Sequence, residues 1–73
     1  AGADWAAARG RLQELGAVSF QLEHLPAGEC RFVCWLPGLQ AGAAERIEGR
    51  AATEAEAVRL CLERAGRWRR QHP

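Results

Sequence analysis

Between Val18 and Leu36 the apolar residues fall on every second position, and on both flanks they fall on every third or fourth. That switch of period constrains the fold more than any other feature of the chain. Side chains alternate faces along a strand and return to one face each turn along a helix. Val18, Phe20 and Leu22 alternate with Ser19, Gln21 and Glu23; Cys30, Phe32, Cys34 and Leu36 alternate with Arg31, Val33 and Trp35. Pro26-Ala27-Gly28 lies between the two runs. Proline presets a turn dihedral and glycine takes a positive φ without strain, so this segment predicts a hairpin loop. The hairpin sets a register in which Leu25 faces Glu29, Glu23 faces Arg31, Leu22 faces Phe32 and Phe20 faces Cys34. Apolar then meets apolar and acid meets base, as a half-buried antiparallel pair requires.

Helices are expected on both flanks. Trp5, Ala8, Leu12 and Leu15 form one apolar stripe, with Asp4 suited to cap the first turn and Gly16 suited to the left-handed position that ends a helix. At the other end Thr53-Glu54-Ala55-Glu56 has the form of a capping box, and Ala55, Val58, Cys61, Leu62, Ala65 and Trp68 follow as a broad stripe. Glu63 and Arg67 stand in the favourable order for an ion pair one turn apart. Pro37-Gly38 ends the second strand, residues 38–44 read as a mobile small-residue loop, and residues 45–51 read as a third strand that Gly49 weakens.

The expected fold is therefore α+β, a two-layer αβββα domain. A three-stranded antiparallel meander has both helices packed on its one apolar face, because short connections favour a meander and each element has one stripe or face to bury. Residues 1–73 read as a single domain, with helices over 4–15 and 54–70 and strands over 17–25, 29–36 and 45–51. A chain of 73 residues buries a small core, and much of its 48% apolar content is Ala. Loss of one buried Trp or Phe would then remove about 3–5 kcal/mol.

All ten basic residues are Arg, and Lys, Asn, Tyr and Met are absent, a composition that suggests a GC-rich genome. The missing Met suggests a processed, excised or tagged chain. Net charge is +1, with the basic excess toward the C-terminus, where residues 53–73 hold five Arg against three acids. No apolar run reaches the roughly 20 residues that span a bilayer, and no signal-peptide pattern is present, so no membrane partner is expected. Three Cys without a disulfide framework favour buried free thiols and a cytoplasmic setting.

Enzymatic chemistry finds little support in the residue pattern. Cys30 and Cys34 are four apart on a strand, roughly 13 Å at ~3.3 Å per residue. They can share neither a metal nor a disulfide. Cys34 and Cys61 can meet across the core, but two thiols alone do not bind a metal. Ser19 and His24 lie on opposite sheet faces, and no nucleophile has a base and an orienting group placed beside it. Gly38-Leu39-Gln40-Ala41-Gly42 lacks the Lys and the strand-to-helix context of a phosphate loop. No catalytic residue, metal or cofactor is expected.

The surfaces are more informative. The polar sheet face should carry Arg31, Val33, Trp35, Arg46 and Arg50, and a Trp with a neighbouring Val on a central strand marks a contact surface. The competing reading tucks Trp35 under Arg stems or under the 38–44 loop. Leu60 falls opposite the buried stripe of the last helix and offers a second patch. These six residues point to a non-enzymatic interaction module that binds a protein partner or itself. The alternative is nucleic-acid binding through the same Arg residues and through Arg67, Arg69 and Arg70, although positive charge at a helix C-terminus also complements its dipole.

In length and element order the chain resembles the double-stranded-RNA-binding domain. That family grips RNA through its first helix, the loop between its first two strands and a Lys-rich start of its last helix. Here that loop is Leu25-Pro26-Ala27-Gly28, without a His donor, and the last helix opens Thr53-Glu54-Ala55-Glu56, with two acids where the family holds phosphate. The resemblance implies the fold and a protein-interaction role rather than RNA binding. Thr53-Glu54-Ala55-Glu56-Ala57 after a three-stranded sheet is also similar to the arm-binding domain of phage-type integrases, whose sheet enters the DNA major groove. That similarity would give Arg31, Trp35, Arg46 and Arg50 a DNA-facing role; the N-terminal helix departs from its pattern.

Overall fold

The structure is a computed structural model that describes residues 4–38, 40 and 42–72. Helix α1 spans Trp5–Leu15. The Asp4 carboxylate accepts from the Ala7 amide at 3.1 Å and so satisfies one of the open donors of the first turn. Gly16 closes the helix with φ 76°; its amide donates to Gln13 O and that of Ala17 to Leu12 O, which together satisfy carbonyls of the last turn.

Strands β1 (Ser19–His24), β2 (Cys30–Pro37) and β3 (Ala44–Ala51) form an antiparallel sheet in sequence order. The β1–β2 register pairs Phe20 with Cys34, Leu22 with Phe32, Glu23 with Arg31 and His24 with Cys30, as the alternation predicts. At the hairpin end the Leu25 amide donates to Glu29 O at 2.8 Å, and Gly28 takes φ 93°, which a side chain would strain. The β2–β3 register places Ile47 beside Cys34 and Gly49 beside Phe32. Of the loop between them, Leu39 and Ala41 lie outside the described residues.

Helix α2 spans Glu54–Gln71, and the Thr53 hydroxyl accepts from the Glu56 amide at 3.2 Å. Its stripe of Ala57, Val58, Cys61 and Ala65 is buried with Phe32, Cys34, Leu36 and Ile47 of the sheet and Ala8, Leu12 and Leu15 of α1. Trp5 packs on Phe32 with ring centroids 5.9 Å apart. Both helices thus share one sheet face. Gly49 brings α2 close to β3: a Cβ there would stand 2.4 Å from Ala57 O and 2.4 Å from Cys61 N. The glycine that weakens β3 as a strand is the residue that lets the helix backbone approach it.

Two expectations fail at β1. Val18 lies before the strand rather than in it and is 66% exposed, and Phe20, expected inward, is 43% exposed. Helix α2 covers β2 and β3, and α1 packs beside α2. The two stripes are too narrow to roof all three strands, so the apolar face of β1 stays partly open. Phe20 packs on its inner side against Phe32 at a centroid distance of 5.8 Å.

Candidate functional site

The polar sheet face is organised by charge. Arg31 grips its register partner Glu23 through two bonds, Nε to Oε1 at 2.9 Å and Nη2 to Oε2 at 3.1 Å. Arg46 bonds Glu48 at 2.6 Å, and Arg50 bonds Glu29 at 3.1 Å. The Arg31 guanidinium beside Glu23 holds that carboxyl below its ordinary range, and Arg46 does the same to Glu48. In return, the hydrogen bond from Glu23 raises Arg31 above its ordinary value. Such solvent-facing pairs are individually weak, but they leave the face with its charges already matched.

This lattice corrects the expectation for Val33. The residue has no exposed surface, because it sits in register between Gln21 and Glu48, with Arg31 and Trp35 to either side along β2. Long side chains on all four sides, the Trp35 ring among them, can cover a small Val through their apolar parts. Trp35 is half-buried, flanked in register by Ser19 and Arg46. Leu60 on α2 is also half-buried. The predicted contact residues are therefore less open than the alternation alone suggests. Along α2, Arg64 donates to the Glu48 backbone carbonyl at 2.9 Å and Arg67 lies 3.8 Å from Glu63. Arg69 and Arg70 are exposed and have no acidic partner among the described residues. Trp68 stacks on His72 with centroids 4.6 Å apart.

The exposed apolar surface lies instead at β1. Phe20 forms one wall of a groove of ≈ 260 Å³ whose other walls are Arg9, Leu12, Gln13 and Ala17. β1 is also an edge strand, and in an antiparallel ladder every second residue of an edge strand turns its amide and carbonyl away from its partner. The other edge, β3, carries Glu45, Arg46, Glu48 and Arg50, the kind of charge that blunts strand pairing. β1 carries Glu23 alone, already tied to Arg31, and His24 at its end. The sequence held a partial signal for this surface: the α1 stripe is Trp5, Ala8, Leu12 and Leu15, four residues of which one is a small Ala, a narrow strip to set against a three-stranded sheet.

The thiols divide into two environments. Cys34 and Cys61 meet in the core with sulfurs 3.6 Å apart, and Cys61 Sγ also lies 3.4 Å from Ile47 O, so its single S–H has two acceptors within reach and serves one at a time. Its hydrogen bond to Cys34 and its burial push the Cys61 thiol well above the ordinary range, so it stays protonated. Cys30 is different. Its Sγ lies 3.8 Å from His24 Nδ1, and His24 Nε2 lies 3.0 Å from Glu54 Oε2. The expectation that no nucleophile has a base and an orienting group beside it is thus corrected. The strand register brings His24 to Cys30, and the start of α2 brings Glu54 to the far side of the ring. Because the partners use opposite ring nitrogens, the three form a line and not a chelate. Among the described residues no group of three or more His, Cys, Asp or Glu is placed to hold a metal ion.

With these sites in place the molecule is defined as a two-layer αβββα domain with an open β1 edge. No family model matches the chain, and no curated protein or solved structure matches it. No helix of the described residues is long and apolar enough to cross a membrane.

Proposed function

We propose that this domain is a non-enzymatic interaction module that pairs with a second copy of itself along the β1 edge. The observation that carries the proposal is the exposure of Val18 and Phe20 beside that edge, where a soluble surface ordinarily keeps large apolar groups apart or covered. The strand is also self-complementary. An antiparallel two-fold pairing centred on Gln21 sets Phe20 against Leu22 of the second copy on the apolar face and Ser19 against Glu23 on the polar face. No like charges meet in that register. A two-fold contact repeats each favourable pair, which suits a short strand. The contact surface in this proposal is the β1 edge rather than the face shared by Trp35, Val33, Arg31, Arg46 and Arg50.

The same details bear on the double-stranded-RNA-binding-like layout. Glu54 and Glu56 open α2, and Arg31, Arg46 and Arg50 are occupied by acids, so phosphate would have to displace existing partners. Both features favour protein over nucleic acid within that layout.

Sedimentation velocity across a range of concentrations tests the proposal. The unmodified chain should show a concentration-dependent dimer, and Val18→Glu and Phe20→Glu should each be monomeric with unchanged circular dichroism. Val18 makes the safer variant, since it is mostly exposed. Trp35→Ala should retain the dimer. A chain that stays monomeric at all concentrations, or a dimer lost only in Trp35→Ala, would overturn β1 pairing.

A further inference from the structure

We infer that Cys30 is a reactive thiol, a site of mixed-disulfide formation with low-molecular-weight disulfides, and that His24 is its base. The inference rests on different observations from β1 pairing, although that pairing would set Val18 of the second copy opposite His24, so the monomeric Val18→Glu chain is the background in which to read it. It rests on the line Cys30–His24–Glu54, with Sγ 3.8 Å from Nδ1 and Nε2 3.0 Å from the carboxylate. A carboxylate can only accept, so Glu54 fixes the ring hydrogen on Nε2. The lone pair of Nδ1 is then directed at the thiol. A nucleophile beside a base that is itself oriented by a third group is the arrangement that activates cysteine.

The three residues come from three separate elements, and each is held by its own backbone. Cys30 opens β2 and faces His24 across the ladder, while Glu54 opens α2 directly after the Thr53 cap. The His24 side chain is 67% exposed, so the line runs from solvent to a thiol whose residue is 5% exposed. Cys34 and Cys61 have no exposed surface and no imidazole beside them, which makes them internal controls.

The exchange balances without a further reactant. The thiol proton passes to Nδ1 as Sγ attacks one sulfur of the small disulfide. The reagent's S–S bond breaks, a bond forms between Cys30 Sγ and the attacked sulfur, and the departing thiolate takes the proton from the imidazolium. Cys30 is oxidised to the mixed disulfide and the other half of the reagent is reduced to a thiol. Glu54 acts only through His24 and is a positioning residue.

The test uses dithiodipyridine on the folded chain, with released thiopyridone followed by absorbance and the labelled cysteine located by mass spectrometry. Cys30 should label first and alone. His24→Ala should slow it at least about tenfold, less than the ~100-fold lower end for a positioned base because the imidazole is largely exposed. Added imidazole should restore part of the rate, and Glu54→Gln should slow Cys30 to a smaller degree. In both variants Cys34 and Cys61 should remain unlabelled, which separates loss of the base from loosening of the fold. Labelling of all three thiols together, or an unchanged or faster Cys30 rate in His24→Ala, would show that the imidazole merely covers a passive thiol and would end the proposal.

Discussion

Replacing Gly49 with Ala should destabilise the domain, although Ala is ordinarily the better strand residue. Intrinsic preference favours Ala by about 0.5–1 kcal/mol. The structure opposes it. The new Cβ would meet Ala57 O at 2.4 Å and Cys61 N at 2.4 Å, where ordinary contact begins at 3.4 Å, so α2 and β3 must separate by about 1 Å. Neither neighbour is a flexible side-chain tip; both are helix backbone. A radial gap of ~0.5–1 Å forfeits a quarter to a half of the dispersion attraction across it. The gap would open beneath Ala57, Val58, Cys61 and Ala65, the stripe that closes the core. Overpacking of this kind costs about 1–3 kcal/mol, and a rigid backbone clash belongs at the upper end. The net loss should be about 2 kcal/mol, from a total of about 4–11 kcal/mol for a chain of this length. At ~4–8 °C per kcal/mol the melting temperature should fall by roughly 8–16 °C. Urea unfolding and a thermal melt followed by far-ultraviolet circular dichroism measure both. Gly66→Ala is the counterpart: its Cβ would approach two flexible guanidinium tips, Arg11 Nη2 at 2.9 Å and Arg70 Nη1 at 3.6 Å, so Arg11 can swing away and helix preference should leave stability equal or higher. If Gly49→Ala matches or exceeds the parent chain in stability, the close approach of α2 to β3 does not limit this fold.

Two further outcomes follow from local geometry. Gly10 sits in α1 with open space where a methyl group would go, nothing lying within 4 Å of it, so Gly10→Ala should raise stability by about 1 kcal/mol, read as a higher urea midpoint at unchanged slope. Glu23 and Glu48 are held below the ordinary carboxylate value of 4.5 by Arg31 and Arg46, so the folded state binds fewer protons than the unfolded state. Their contribution should be complete above pH 4.5 and fade as pH falls through the depressed values, and a Glu23→Gln/Glu48→Gln chain should show a shallower acid loss in unfolding titrations.

The period of the apolar residues decided the element order, the hairpin register and the ends of both helices. These are local properties: a strand alternates, a helix repeats by turns, and Asp4, Gly16, Gly28 and Thr53 act on backbone groups within a few residues of themselves. Which side of the sheet is covered was legible as well, since only one face is apolar along its length. How much of that face is covered was not. It depends on where two helices of limited width come to rest, and they rest over β2 and β3, which leaves Phe20 at the surface. Val33 shows the converse: it lies on the polar face among Gln21, Glu48, Arg31 and Trp35, yet it is completely buried. The Cys30–His24–Glu54 line divides the same way. The hairpin register alone sets His24 opposite Cys30, but Glu54 is distant in sequence and reaches the ring only because α2 begins beside the hairpin's end. Sequence determined what is near along the chain and across one ladder; the placement of α2, set by packing on Gly49, decided what meets across layers.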